Sequence, residues 1–360
     1  MTPPIQPIMV RCPTCADEFL WQGNDPVFRY DEAISDYDPI DLSRMSESRV
    51  ATALREGYRK CPNPSGDATE HYLPATYWTY PDPLVIGLVG APAAGKTHLL
   101  TAMIWAAYQH ALKPYGIETS ALDFHRHHEF ERLYMRPFQD GGELAGTRTN
   151  VSEAVDILLM RGPGGTRPVT FFDVAGEDLE RSSANRATRF LASANAVIFV
   201  HGLEDPPEEG RPAASNTAWS FELAVERLRG MPGGVDRIPA VLAVTKADRK
   251  RYVPPVDRWL RAAPHGLDAG LIRDQTRDVY AYLHHAGQTG ALRPFEAFRR
   301  CTMHFVSASG KDSVAVDPGA DRTERHFPRG ISPMHVLEPL VAILAMTGML
   351  DGPEARKVGR

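Results

Sequence analysis

The sequence has few cysteines, no long hydrophobic run and no excess of positive charge, and each absence excludes a class of protein. Its 360 residues include only four cysteines at scattered positions, which excludes a disulfide-stapled fold. The longest uncharged apolar run, LVAILAMTGML, is shorter than the roughly 20 residues that span a bilayer. The net charge is −5, so neither nucleic acid nor a membrane is expected as a partner. The first residues, MTPPIQPIMVRCPTC, lack the features of a signal peptide, and we expect a cytoplasmic protein.

The distribution of proline predicts three parts of the chain. Proline-rich stretches such as MTPPIQP and YPDP mark residues 1–82 as a loop-rich N-terminal region. Residues 83–352 alternate between short apolar runs and helical stretches, which is the pattern of an α/β domain. Residues 353–360 are predicted to form a C-terminal tail.

Five apolar runs in the α/β part predict buried strands. They are PLVIGLV (83–89), VTFFD (169–173), ANAVIFV (194–200), PAVLAVT (239–245) and TMHFVSA (302–308). Continuously apolar strands are typical of a parallel sheet covered by helices on both faces. The segment EAVDILLM (153–160) lies only one short turn before the next strand, so it is predicted as an antiparallel edge strand.

The segment GAPAAGKT (90–97) matches the phosphate-binding pattern G-x-x-x-x-G-K-[ST] between a strand and a helix. Its main-chain N–H groups are expected to surround the β-phosphate, with the Lys96 ammonium on the β- and γ-phosphates and the Thr97 hydroxyl on Mg²⁺. Pro92 supplies no N–H group and stiffens the loop. The residues predicted to bind phosphate are Gly90, Ala93, Ala94, Gly95, Lys96, Thr97 and His98. The loop alone does not distinguish ATP from GTP, or hydrolysis from transfer.

Three further motifs follow predicted strands. In FFDVAGED, Asp173 ends a strand and is expected to hold Mg²⁺ through water, and Gly176 brings its N–H to the γ-phosphate. In TKAD, the Asp248 carboxylate can accept two hydrogen bonds from guanine N1–H and N2–H₂, and the Lys246 stem can lie along the base. In VSASG, a main-chain N–H can donate to guanine O6, and the candidate residues are Ser307, Ala308 and Ser309.

Together these motifs resemble those of the Ras-like superfamily of P-loop GTPases, in which they occur in the same order. The resemblance implies hydrolysis of GTP with Mg²⁺ and a six-stranded sheet with one antiparallel edge strand. It also implies a first-switch threonine that ligates Mg²⁺, for which Thr149 is preferred and Thr147 is the alternative. The catalytic residues are then Lys96, Thr149, Gly176 and Glu177.

The chain departs from the family pattern at two positions. Thr245 stands where the family usually has asparagine, which removes an amide that braces the phosphate loop. Glu177 stands where small members have a glutamine that orients water, and a carboxylate beside the γ-phosphate is a poorer positioner. Both the stiffened loop and Glu177 favour slow hydrolysis without a partner.

The N-terminal cysteines suggest a metal site. Cys12 and Cys15 have the spacing of half a zinc site, and Cys61 with His71 can complete a Cys₃His set. The alternative is that these cysteines are simple packing residues, since a fourth cysteine is missing. His125, His127 and His128 are interpreted as a solvated first-switch segment rather than a metal site.

The cysteine knuckle before a Ras-like domain is similar to the bacterial double-GTPase group (type two) of conflict and defence systems. This resemblance implies a protein partner that binds through the switch loops, for which a companion GTPase is the candidate. We therefore expect a GTP-hydrolysing molecular switch that binds GTP and GDP. The alternatives are a GTP-binding scaffold with little turnover, and an ATP-dependent P-loop NTPase or kinase.

Overall fold

The structure is a computed structural model, and it describes most of the chain. The described residues are 7–66, 68–144, 154–175, 191, 193–203, 215–231, 233–263, 266–316 and 324–359. Several predicted switch residues, Thr147, Thr149, Gly176 and Glu177, lie outside these ranges.

The N-terminal region is richer in strands than the proline pattern predicts. It contains β1 (Ile8–Arg11), β2 (Glu18–Trp21), β3 (Val27–Asp31), β4 (Asp36–Ile40), α1 (Glu47–Glu56), β5 (Tyr58–Lys60) and β6 (Tyr72–Pro74). The first two strands form a hairpin, and the other four form an antiparallel sheet in the order β4-β3-β5-β6. A short 3₁₀ turn, Tyr77–Thr79, leads from this region to the α/β part.

The central sheet has seven strands. They are β7 (Leu84–Gly90), β8 (Glu118–Ala121), β9 (Ala154–Gly162), β10 (Gly165–Ala175), β11 (Ala196–Gly202), β12 (Ala240–Thr245) and β13 (Cys301–Phe305), in the order β13-β12-β11-β7-β10-β9-β8. Strands β7, β10, β11, β12 and β13 run parallel, and β9 is antiparallel to both of its neighbours. The predicted fold class, a mostly parallel α/β sheet with helices, is therefore confirmed.

Two details of the predicted sheet are wrong. The sheet has seven strands rather than six, and the antiparallel strand β9 is second from the edge because β8 pairs with its outer side. Strand β8 has the sequence ETSA, in which only Thr119 and Ala121 are buried. Four residues with so little apolar character give no strand signal, because the pairing depends on β9 rather than on local propensity.

Helices cover the sheet and connect its strands. The remaining ones are α2 (Lys96–Tyr108), α3 (Phe124–Phe130), α4 (Arg136–Gln139), α5 (Ser215–Arg229), α6 (Gly234–Arg237), α7 (Val256–Arg261), α8 (Ala269–His285), α9 (Arg293–Ala297), α10 (Glu338–Met346) and α11 (Pro353–Lys357). A small hairpin, β14 (Val314–Ala315) with β15 (Arg325–His326), lies before α10. The segment predicted as a tail contains α11. No helix within the described ranges combines the length and apolarity that a bilayer crossing requires.

The core has a layer on each face of the sheet, because alternate residues of a strand point to opposite faces. On β7, Val85 and Val89 contribute to one layer, and Ile86 and Leu88 contribute to the other. The first layer also contains Trp21 and other side chains of the N-terminal region. The N-terminal region therefore packs directly on the sheet rather than standing apart from it.

Candidate nucleotide site

The phosphate loop connects the end of β7 to the start of α2, and two glycines are required there by geometry. Gly95 precedes the helix with φ of 84°, a left-handed conformation that favours glycine. A Cβ atom on Gly90 would lie 2.4 Å from the carbonyl oxygen of Val200 on the neighbouring strand. The sequence motif thus reflects both a turn and a close approach of two backbones.

Lys96 lies inside this loop. Its side chain is buried, and its Nζ donates hydrogen bonds to the carbonyl oxygens of Gly90 (2.7 Å) and Ala91 (3.1 Å). The ammonium group is thereby held beside the main chain that would surround a phosphate. The N-terminus of α2 adds its positive potential at the same place.

Thr97 and Asp173 meet at the carboxyl edge of the sheet. The Thr97 hydroxyl donates to Asp173 Oδ2 over 3.2 Å, although the two residues are 76 positions apart. Asp173 is buried near the end of β10, which runs beside β7. A hydroxyl and a carboxylate are oxygen ligands of the kind that Mg²⁺ prefers, so this donor set fits the ion.

Thr245 braces the phosphate loop, contrary to the expectation that the loss of asparagine removes the brace. Its Oγ1 lies 2.5 Å from the carbonyl oxygen of Ala94, to which it donates, and 3.2 Å from that of His201. A threonine hydroxyl at the end of β12 therefore replaces the missing amide. The expectation was wrong because the main chain of the loop comes within reach of the shorter side chain.

Asp248 and Ser307 are brought together from two loops. Asp248 is buried in a 3₁₀ turn (Ala247–Lys250) after β12, and Ser307 is buried just beyond β13. The Ser307 hydroxyl donates to Asp248 Oδ1 (2.5 Å) and accepts from the Gly310 N–H (2.8 Å). One carboxylate oxygen is therefore fixed, which orients the group that was predicted to read guanine.

Arg251 was not singled out by sequence reasoning, yet it joins the same two loops. Its guanidinium donates to the carbonyl oxygens of Asp248 and Gly310. Lys246, in a left-handed conformation with φ of 56°, precedes this turn. Ala308 is buried and Ser309 donates to the carbonyl of Lys311 (2.8 Å), so both lie in the loop beside Ser307.

His98 was predicted to contribute only its main-chain N–H, but its side chain makes a second connection. Its Nε2 accepts a hydrogen bond from the Leu144 N–H (3.1 Å), and its ring packs edge-on against Phe138 and Phe327. Burial lowers the pKa of His98 to about 4, so the imidazole is the neutral acceptor that this bond requires. Leu144 directly precedes residues 145–153, where the predicted switch threonine lies.

His127 is buried, so the prediction of a solvated segment is wrong for this residue. It is only 6% exposed, and its Nδ1 lies 2.6 Å from Oδ2 of the buried Asp156. Burial alone would lower the pKa of His127, but the hydrogen bond and charge of Asp156 outweigh it and raise the pKa. The pairing partner is 29 residues away on β9, so no local pattern reveals it.

The three cysteines and the histidine predicted as zinc ligands converge. The ligand atoms of Cys12, Cys15, Cys61 and His71 all lie within 4.8 Å of one another. Cys15 Sγ and Cys61 Sγ are 3.7 Å apart, close to the about 3.8 Å edge of a tetrahedron with zinc–sulfur bonds. Cys12 Sγ lies 3.2 Å from His71 Nε2.

The surroundings of this cluster suit a metal as well. His71 Nδ1 donates to the carbonyl oxygen of Thr69 (2.8 Å), which leaves the lone pair of Nε2 for a ligand bond. Hydrogen bonds from Cys12 and Cys61 lower the pKa of the Cys15 thiol, whereas burial raises the pKa of Cys12, so Cys15 is the thiol most readily ionised for a metal. The donor set therefore fits zinc.

Three features define a P-loop GTPase: a phosphate loop, a strand-end aspartate paired with the threonine of that loop, and an oriented aspartate after β12. A family model described as double-GTPase 2 matches residues 84–270, more than half of the chain. The chain therefore belongs to the double-GTPase 2 family.

Curated proteins and solved structures give two further comparisons. Among curated proteins, none matches the sequence significantly. A solved structure similar to the chain is the G domain of the FeoB iron transporter of T. maritima. It is 16% identical, with coverage of 63% of this chain and 89% of that one, and the TM-score is 0.27.

Proposed function

We propose that the protein is a molecular switch that binds GTP and hydrolyses it to GDP with Mg²⁺. The observation that carries this proposal is the contact between Thr97 and Asp173, which brings a hydroxyl and a carboxylate together beside the phosphate loop. Thr97 and Asp173 would hold Mg²⁺ there, and the bound ion would supply positive charge that offsets the charge of the phosphates. Thr97 and Thr149 are the proposed direct ligands from the chain, and Asp173 is proposed to hold the ion through water.

The chain's own groups would stabilise the transferring phosphoryl group. The Lys96 ammonium and the N–H groups of the loop would contact the phosphate oxygens, on which negative charge develops. A water oxygen attacks the γ-phosphorus as the bond to the β–γ bridging oxygen breaks, which yields GDP and inorganic phosphate. Gly176 would donate its N–H to the γ-phosphate, and Glu177 would accept a hydrogen bond from the attacking water.

Selection for guanine rests on Asp248. Its buried carboxylate, anchored by Ser307, would accept hydrogen bonds from N1–H and N2–H₂ of the base. The Lys246 stem would cover one face of the base, and a main-chain N–H of residues 307–309 would donate to O6. Adenine lacks this pair of donors, so the site would reject ATP.

Turnover is proposed to be slow in the isolated protein. Pro92 removes one donor from the phosphate loop, and Glu177 cannot donate a hydrogen bond to water while it is ionised. A protein partner that binds the switch segments, for which we propose a companion GTPase of a bacterial conflict or defence system, would then set the rate. The protein is proposed to act in the cytoplasm.

We also propose that the N-terminal region, residues 1–82, carries a structural zinc ion on Cys12, Cys15, Cys61 and His71. A Cys₃His set closes a tetrahedral site and leaves no open position for catalysis. The ion would hold the β1–β2 hairpin to the segment between β5 and β6.

One experiment tests the switch against its alternatives. Single-turnover release of phosphate from GTP is measured for the wild-type chain and for Lys96→Ala, and nucleotide affinity is measured for Asp248→Asn. We expect release that is lost in Lys96→Ala, and an Asp248→Asn protein that prefers XTP, because xanthine presents an acceptor where guanine has its N2–H₂. Asp274→Asn, an exposed change on α8, is the matched control.

Each alternative predicts a different result. Nucleotide binding without release of phosphate in either protein would support the scaffold. Equal affinity for ATP and GTP in the wild type and in Asp248→Asn would support an ATP-dependent enzyme.

A further inference from the structure

A concave groove lies at the end of the sheet opposite to the nucleotide site. It has a volume of about 370 Å³ and lies between α8, the start of β13 and α11. Its apolar floor includes Phe298 and Cys301, both buried. Cys301 begins β13 and Ser307 follows its other end, so the groove is about 20 Å from the guanine-binding loops.

Four cations surround this floor. They are Arg273, Arg277, Arg299 and Lys357, and all four side chains are exposed. Lys357 pairs with Glu354 (2.7 Å), and Arg277 lies 3.8 Å from Asp274. Among the described residues, Arg273 and Arg299 form no ion pair. The groove therefore retains two uncompensated positive charges in a chain whose net charge is −5.

The shape and charge together limit the kind of ligand. Isolated exposed arginines are usually solvated, but here the cations rim a cavity whose volume falls within the range of small-molecule sites. Two guanidinium groups match the charge of about −2 on a phosphate monoester and can bind it in bidentate fashion. The Phe298 ring is buried and packs edge-on against Phe199, with centroids 5.6 Å apart, so the floor offers apolar contact but little ring surface for stacking a base.

We propose that this groove binds a small phosphate monoester, with the phosphate on Arg273 and Arg299 and an apolar carbon group on the floor. Its position makes it a second ligand site that is separate from the phosphate loop. A ligand there would contact the start of β13, the strand whose far end carries Ser307. Binding of such a ligand at this groove does not depend on hydrolysis of GTP.

Binding of phenyl phosphate to the full chain, saturated with GDP and Mg²⁺, tests the proposal by titration calorimetry. Saturation keeps the probe out of the phosphate loop. We expect saturable binding in the millimolar range or tighter, at least about tenfold tighter than inorganic phosphate, because burying the ring adds affinity. The double variant Arg273→Ala/Arg299→Ala is expected to lose at least about tenfold in affinity.

The controls separate this groove from general attraction of anions. Arg29→Ala/Arg44→Ala removes two exposed arginines of the N-terminal region and should bind phenyl phosphate like the wild type. All four positions are exposed, and an unchanged Tm confirms that each variant is folded. The proposal is overturned by absent binding, by equal affinity for inorganic phosphate, or by unchanged affinity in Arg273→Ala/Arg299→Ala. If the protein failed to bind GDP, the arginine variants would still identify where the probe binds.

Discussion

The hydroxyl of Thr245 donates to the carbonyl oxygen of Ala94 over 2.5 Å, so the end of β12 is tied directly to the phosphate loop. This bond links the strand that leads to Lys246 and Asp248, the residues proposed to read the base, to the loop proposed to hold the phosphates. A threonine hydroxyl therefore holds the loop at the position where the resemblance to Ras-like GTPases implies an asparagine. The bond can be removed with little change of shape.

Thr245→Val should therefore weaken nucleotide binding. Valine keeps the volume but leaves the buried Ala94 carbonyl without its donor, at a cost of about 1–3 kcal/mol. We expect a lower free energy of unfolding, measured by denaturant titration. We also expect a faster release of GDP, measured by displacement of a fluorescent GDP analogue. Thr245→Ser, which keeps the hydroxyl, is the control, and equal effects of the two substitutions would contradict the brace.

Ser307→Ala should reduce affinity for guanine nucleotides. The change removes the donor that holds Asp248 Oδ1 and the acceptor of the Gly310 N–H. We expect the Kd for GDP to rise about tenfold, which corresponds to the loss of roughly one buried hydrogen bond. Ser309→Ala is the matched control, because that hydroxyl donates to the Lys311 carbonyl instead. An unchanged Kd in Ser307→Ala would show that Asp248 needs no anchor.

Cys61→Ser should lower the zinc content and the stability of the whole chain. Metal analysis of protein purified without chelator is expected to find one zinc ion per wild-type chain and markedly less in the variant. The Tm should fall in the variant and in chelator-treated wild type, because the cysteines belong to the same core layer as Val85 and Val89 of β7. Cys301→Ala, which changes the one cysteine outside the cluster, should keep its zinc. Sub-stoichiometric zinc in the wild type would refute the site.

The buried His304 should make the protein less stable in mild acid. Burial lowers its pKa to about 4, Glu338 opposes this shift and His335 adds to it. In the unfolded chain the pKa is about 6.5, so between these values the unfolded state binds more protons and stability falls as the pH falls. The contribution is about 2 kcal/mol between pH 7 and pH 5.

His304→Asn isolates this contribution. Asparagine can keep the bond that His304 Nδ1 makes with Gln275 Oε1 (2.8 Å), but it does not titrate. The wild type should lose more free energy of unfolding than the variant between pH 7 and pH 5, measured by denaturant titration at each pH. Parallel losses in the two proteins would show that another group controls the acid response.

The parts of the structure that the sequence predicted are those with strong local signals. The parallel strands are continuously apolar, and the glycines of the phosphate loop are required by a turn and a close backbone approach, so both could be recognised. The pairing of β8 with β9 and the burial of His127 could not, because each depends on a partner far along the chain. The Thr245 brace was not predicted for a related reason. The sequence shows that an asparagine amide is absent, but it does not show that the Thr245 hydroxyl lies close to the Ala94 carbonyl oxygen.

The core layer that the N-terminal region shares with the sheet has a consequence for how the chain unfolds. The Ser193 hydroxyl donates to the Pro13 carbonyl (3.1 Å), and Tyr77 is joined to Thr170 by their hydroxyl groups (3.1 Å), so hydrogen bonds cross the same boundary. A chain cut at residue 83 would expose the side of β7 that carries Val85 and Val89 to water. The two regions should accordingly melt in a single cooperative transition, with no temperature at which the sheet survives alone.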